Sequence, residues 1–358
     1  MKYNITLDHT GVRRCNSLRT GPITLRGFRM ARSMTENSAR GIRSDYARIE
    51  CPLLLVTEIQ RSGGSMMAQL FDGHPELYAH PFEIHLGYPK KWDWPTLDLN
   101  HEPERWFNIL FEKRPIRRFV QNGFAKADHN QAAANYRFPF RFCEATQKEI
   151  FLREIERNPP NDNRTILNAY FTSFFAAWEG HRPSSRKRLV SGFTPRVNMY
   201  EHSREGFLRD YPDGKLISII RDPITWYTSA RRHSLKYRHT SHAINLWCKS
   251  TKSSLELARR YPDRVRLLSY GQILTKPQQT LRGLAEFAGI EFHESLLTPT
   301  FLGKPVRPNS SFHVDSTGLN RKMLEREHEL RRSQVHKIRR MAWPLYEQSL
   351  AAISAMSD

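Results

Sequence analysis

Cysteine is scarce in this chain: its 358 residues include four, Cys15, Cys51, Cys143 and Cys248. They lie far apart and form no Cys-x-x-Cys pair, which excludes a clustered metal framework or a dense disulfide scaffold. Free thiols in a reducing, cytoplasmic compartment are the expectation. Long apolar runs are also missing, and none approaches the roughly 20 residues needed to span a bilayer. Residues Met1–Arg26 hold no apolar stretch of the kind that marks a secretory signal. Acidic side chains are in deficit: 36 Asp and Glu stand against 56 Lys and Arg, a formal net charge of +20. That balance favours an anionic partner, whether nucleic acid, nucleotide cofactor, acidic glycan or membrane surface. Internal repeats and low-complexity tracts are absent. Hydrophobic residues at 39% and aromatics at 11% point to a globular chain.

Along the chain, residues 1–50 form a polar arm in which Arg13, Arg14, Arg19, Arg26, Arg29, Arg32, Arg40 and Arg43 stand among serines. A mobile basic arm accounts for this, and an organelle presequence is the alternative. The character changes at Cys51-Pro52-Leu53-Leu54-Leu55-Val56, a short apolar run expected of a strand buried on both faces of a parallel sheet. A Gly-rich turn, Arg61-Ser62-Gly63-Gly64-Ser65, follows, then a helix through Met66–Phe71. Residues 92–163 are aromatic, charged and loop-broken, with helices expected near Glu104–Glu112 and Ala145–Arg157; they read as a helical lid or acceptor-side insertion. A helix over Thr165–Trp178 and strands at Lys187–Phe193, Leu216–Ile220 and Val265–Tyr270 come next. Helices are expected from Trp226, over His242–Arg260 and over Gln278–Ala288, the last stopped by Gly289. A Pro- and Ser-rich loop spans Thr298–Ser316, and a basic helical tail from Lys322 to Ala352 is expected to break near Pro344. Alternating strands and helices give an α/β fold with a parallel sheet flanked by helices. The boundaries are 1–50 for the arm, 51–320 for the main domain and 321–358 for a tail packed on it.

Two places carry anion chemistry. In the turn after the first strand, Gly63 and Gly64 let the backbone close around a ligand, and the next helix presents free N–H groups and a positive dipole end. Arg61 adds a cation; Ser62 and Ser65 add hydroxyls. The second place is Arg221 with Ser229 eight residues on, at the end of the second clear strand. An Arg fork with a hydroxyl grips a phosphate bidentately. Taken singly, a tight strand–helix turn and a capped Arg221-Asp222-Pro223 turn explain these residues as well. Both lie at the carboxyl ends of strands, where ligands of open α/β sheets bind.

Residues 61–66 resemble the 5′-phosphosulfate loop of the sulfotransferase family that uses 3′-phosphoadenosine 5′-phosphosulfate (PAPS), and Arg221 with Ser229 resembles its 3′-phosphate site. His74-Pro75-Glu76, Tyr270, Phe287-Ala288-Gly289 and the loop Gly303-Lys304-Pro305-Val306-Arg307-Pro308-Asn309-Ser310-Ser311-Phe312 add to the likeness, which covers roughly residues 51–90 and 210–315. Arg61 at the start of the phosphosulfate loop resembles the bacterial glycan-type or the tyrosylprotein-like branch of the family. The chain departs from the family pattern at Arg61 (commonly Lys), at Gly64-Ser65 (commonly Thr-Thr) and at Gly271 after Tyr270 (commonly acidic). The resemblance implies a P-loop-like sheet and an enzyme that moves a sulfuryl group from PAPS to a hydroxyl. It implies cofactor contacts from Arg61, Ser62, Gly63, Gly64, Ser65, Met66, Arg221, Ser229, Tyr270, Lys304 and Arg307, with 3′,5′-ADP as product and no metal required.

The transfer needs charge stabilisation, assigned to Arg61, and a general base. Glu83 in His80-Pro81-Phe82-Glu83-Ile84-His85 fits the family's position, with His80 or His85 as alternatives. Aromatic and basic residues between Trp92 and Phe142 suit a carbohydrate or glycolipid acceptor, possessing an anionic group or not, or they form ordinary lid packing. Two other classes share part of this inventory. A P-loop nucleotide kinase shares the strand–loop–helix start, but no Gly-x-x-x-x-Gly-Lys-Ser/Thr is present. A non-enzymatic polyanion or nucleic-acid binder would explain the charge, but no nucleic-acid motif appears.

Overall fold

Apolar runs too short for helices pair into the central sheet, as a computed structural model of residues 46–87, 92–124, 130–181, 183–307 and 317–356 shows. The strands are β1 (Leu53–Thr57), β2 (Leu77–Glu83), β3 (Leu189–Phe193), β4 (Lys215–Ile220) and β5 (Val265–Ser269). All neighbours run parallel, in the order β2-β3-β1-β4-β5. All five residues of β1 are buried because the strand lies at the centre. Its period-two alternation sends Leu53 and Leu55 into one core and Leu54 and Val56 into the other.

Helix α1 (Gly64–Phe71) follows β1 directly. The insertion contributes α2 (Pro103–Leu110), α3 (Lys113–Asn122), α4 (Gln131–Arg137) and α5 (Glu144–Arg157), and α6 (Asn163–Ala177) leads into β3. After β3 come α7 (Glu201–Asp210), then β4, α8 (Pro223–His233), α9 (Thr240–Arg260), β5, α10 (Tyr270–Thr275), α11 (Pro277–Ala288) and α12 (Arg332–Ala355). Side chains of α1, α10 and α11 fill the core on one face of the sheet; those of α6, α7, α8, α9 and α12 fill the other, which continues into the insertion. The α/β class, with a parallel sheet flanked by helices, is as the sequence reads. Among the described residues no helix is long and apolar enough to cross a membrane.

Three expectations need correction. The stretch around Glu83, which is not among the strands expected from sequence, is strand β2; it holds the sheet edge, where Pro81 can lack a ladder N–H without loss. The tail helix does not break at Pro344 but runs through it. Packing of Val335, Ile338, Ala342 and Ile353 into the core outweighs the one hydrogen bond that Pro344 cannot make. Within the late loop, Thr300–Phe301 (β6) and Lys304–Pro305 (β7) pair as a small antiparallel hairpin. The basic arm before residue 46 and residues 308–316 of that loop lie outside the described residues.

Candidate active site

The side on which strands are added switches at β1: β2 and β3 are laid to one side, β4 and β5 to the other. A ligand crevice is expected outside the strand ends at such a switch point. Glu58 to Gly64 follow β1, Arg221 follows β4, Tyr270 follows β5, and Glu83 ends β2. The two anion sites of the sequence therefore meet as one.

Arg61 takes a left-handed backbone, φ 78°, which costs a non-glycine residue roughly 1–2 kcal/mol. Contacts hold it there. Arg61 Nε donates to Ser229 Oγ at 3.3 Å, and Arg221 Nη1 donates to the Arg61 carbonyl at 3.1 Å. Arg221 is 5% exposed, donates also to Thr225 Oγ1 and the Met323 carbonyl, and lies 4.5 Å over the Tyr270 ring. Among the described residues neither guanidinium forms an ion pair with a carboxylate. Burial lowers the pKa of both; Arg221 lowers Arg61 further, and Arg326 lowers Arg221. Two mutually repelling buried cations form a site that an anion would relieve.

The glycines are sterically required. Gly63 has φ 129°, and a Cβ there would meet the Tyr270 ring at 2.9 Å. A Cβ on Gly64 would lie 2.1 Å from the Phe193 ring, so β3 leaves no room for a side chain at the start of α1. This explains why Gly64 interrupts the hydroxyl pair expected there. Ser62 Oγ is buried without a hydrogen-bond partner among the described residues, and Ser65 lines the adjoining cavity. The amides of Met66 and Met67 are spent on the Gly63 carbonyl. The residues present fit a phosphosulfate and a 3′-phosphate: an orphaned hydroxyl, two cations and a second hydroxyl around one crevice.

Glu83 faces a cavity of about 1210 Å³ that starts at the loop residues Gln60 and Ser65 and ends between α3 and α5. Its Oε1 accepts the Trp92 indole N–H at 2.7 Å and lies 2.9 Å from His85 Nε2. Glu83 and His85 both line the cavity. His80 does not: it is 1% exposed, stacked on Phe174, with Nδ1 on the Phe82 carbonyl at 2.9 Å and Nε2 3.1 Å from Glu112 Oε2. The alternation of β2 turns His80 away from Glu83, so the structure brings only Glu83 and His85 together. Lys304 is also placed apart. Its Nζ donates to the Arg137 carbonyl, and its hairpin is tied by Thr300 and the Gly303 amide to Asp72, beyond the far end of α1. Arg307 follows that hairpin, and neither residue hydrogen-bonds to Arg61, Arg221 or Ser229.

Sequence reading missed Glu58, whose Oε1 accepts the Gly64 N–H at 3.1 Å. It also missed Gln60, which fixes the loop by accepting from Arg196 Nε at 2.6 Å and from the Tyr237 hydroxyl at 3.1 Å, while its carbonyl takes the Trp226 N–H. Only the acidic residue immediately before an anion loop offered a signal.

Comparison with known proteins gives the family and the fold. Residues 52–294 match the model of the "Sulfotransferase family". The sulfotransferase domain from the curacin biosynthetic pathway superposes with a TM-score of 0.50 at 16% identity, over 82% of this chain and 97% of that one. The sulfotransferase domain of the Synechococcus PCC 7002 olefin synthase gives 0.49 at 17%, over 84% and 97%. The Alicyclobacillus acidocaldarius sulfotransferase gives 0.43 at 14%, over 86% and 99%. No curated protein sequence matches the chain.

Proposed function

The chain belongs to the sulfotransferase family, and we propose that it transfers a sulfuryl group from PAPS to the hydroxyl of a carbohydrate or glycolipid acceptor. The observation that carries this reading is the convergence of Arg61, Arg221 and Ser229, with neither cation in a direct ion pair with a carboxylate among the described residues. When bound, the donor supplies the sulfuryl group and departs as 3′,5′-ADP. Arg61 is positioned to stabilise charge developing on the leaving oxygen, the largest single contribution in reactions of this type. Arg221 and Ser229 hold the 3′-phosphate, Ser62 and Ser65 the 5′ side, and Tyr270 stacks under Arg221 to fix its fork.

Glu83 takes the acceptor proton. It opens onto the cavity, and the Trp92 N–H, which can only donate, holds its oxygen as an acceptor. His85 beside it steadies the carboxylate. The acceptor enters from the insertion side. There the half-buried Phe111 ring, stacked on Phe107 at 5.2 Å, offers a face for a sugar ring, and Lys113, Arg114, Arg118 and Lys148 offer charge for an acidic substituent. Residues 51–320 make up the catalytic domain in this reading, with 92–163 as its acceptor side and 321–358 as a packed tail. The four cysteines lie far apart with no paired spacing, and this composition supports a reducing, cytoplasmic location. The deciding assay is transfer of labelled sulfate from PAPS to a panel of glycans, glycolipids, phenols and peptides. Label on glycans or glycolipids supports the reading, and label only on phenols or peptides removes the acceptor class.

A further inference from the structure

An acid sits inside the anion cradle. Glu58 directly follows β1, is 1% exposed, and spends Oε1 on the Gly64 N–H at the start of α1. Its Oε2 is buried with no hydrogen-bond partner among the described residues. The charged groups that face it are Arg61 from its own loop and Glu83 from β2, while its carbonyl accepts the Arg196 N–H at 2.8 Å. An ionised carboxylate here would repel the anion that the surrounding loop is shaped to hold. It would also leave half of a buried charge without a hydrogen bond.

We propose that Glu58 is a positioning residue that works as a neutral carboxyl: it pins the Gly64 amide, leaves the cradle cationic, and on losing its proton weakens the hold on the donor. The inference rests on the reading of this loop as the donor's phosphosulfate site. Burial drives the Glu58 pKa well above the usual carboxylate range, and the Glu83 charge raises it further; the Gly64 N–H and Arg61 oppose the rise. Two neighbouring acids are thereby given different tasks, with Glu83 open to the acceptor and Glu58 closed off beneath the loop.

Calorimetric titration of 3′,5′-ADP into the full-length protein at about pH 7.5 and about pH 9.5 tests this. The ligand's charge is constant over that span because the second phosphate ionisation, near pH 6, is complete. Wild-type affinity is expected to be lower at the higher pH, the direction set by burial of the Glu58 carboxyl. Glu58→Ala, which drops the Gly64 contact, is expected to bind at least about tenfold more weakly at both. Glu58→Gln, neutral and still able to accept from Gly64, is expected to rescue binding to within about threefold of wild type and to show no alkaline loss. Glu58→Gln that shares the wild-type pH dependence, or binds as weakly as Glu58→Ala, overturns the proposal. If the variants do not fold, wild type alone decides: binding heats at about pH 9.5 in two buffers of different ionisation enthalpy should show proton uptake, and none would overturn it. Wild type that fails to bind 3′,5′-ADP even at about pH 7.5 overturns the donor reading itself, and this proposal with it.

Discussion

The Arg61 guanidinium donates to the Ser229 hydroxyl at 3.3 Å across 168 residues of chain, and Arg221 answers by donating to the Arg61 carbonyl at 3.1 Å. Arg221 thus fixes the loop that carries Arg61, and Arg61 fixes the helix that follows Arg221, using neutral oxygens only. Positive charge on both is left for a ligand. The left-handed backbone at Arg61 is strain held in place by this mutual grip, as is common where a site is preorganised.

Glu83→Gln is expected to lower kcat by ~10²-fold or more, because a carboxamide cannot take the acceptor proton. Affinity for 3′,5′-ADP should change little, since Glu83 lies on the acceptor side of the loop. His85→Gln should cost less. Steady-state kinetics on both variants checks the order; near-normal turnover in Glu83→Gln with loss in His85→Gln would move the base to His85.

Gly64→Ala should destabilise the fold by roughly 1–3 kcal/mol, the usual penalty for overpacking. The added methyl would stand 2.1 Å from the Phe193 ring. Phe193→Leu in the same chain should recover part of that loss by clearing the space. Thermal melts of the single and double variants measure it, and equal melting temperatures for wild type and Gly64→Ala would refute the packing argument.

Burial, with Lys187 adding to it, pulls the His181 pKa down to about 3. The unfolded imidazole takes a proton near 6.5 that the folded one refuses. Stability from this group is therefore complete above about pH 6.5 and is lost as pH falls from there towards about 3. His181 packs among Tyr78, Phe175 and Trp178, so His181→Phe should keep the packing and flatten the acid loss. The fall in melting temperature from pH 7 to pH 5 should be smaller in the variant; an equal fall would assign the acid sensitivity elsewhere.

The parts legible in the sequence are those written in short continuous segments. β1, β4 and β5 are apolar runs, and the loop that follows β1 and the Arg221–Ser229 spacing are local, so their chemistry could be read before any contact was known. What sequence hid depends on neighbours far along the chain. β2 escaped because an edge position excuses Pro81, which in a central strand would argue against pairing. His80 and Glu83 look equivalent in sequence, and only the two-residue period of β2 with its packing on Phe174 separates the buried ring from the open carboxylate. Helix α12 passes Pro344 because α9 and the core wait for its apolar face. Lys304 was assigned to the cofactor by likeness, whereas Asp72 anchors its hairpin to the other end of α1. Gln60 carries no signal until the loop folds back on it, and Glu58 offers only its acidic character just ahead of the loop.

The central claim is that Arg221 and Ser229 read a 3′-phosphate. Both are buried, at 5% and 2% exposure, and Arg61 bridges them, so a phosphate entering here replaces no competing carboxylate. Loss of the Arg fork would leave that phosphate without its charged partner, a cost of roughly 2–4 kcal/mol. Calorimetry with 3′,5′-ADP and 5′-ADP on wild type and Arg221→Ala is the direct measurement. Wild type should prefer 3′,5′-ADP by a factor on the order of 10²–10³, and Arg221→Ala should nearly abolish the preference. Equal binding of the two nucleotides by wild type would contradict the account.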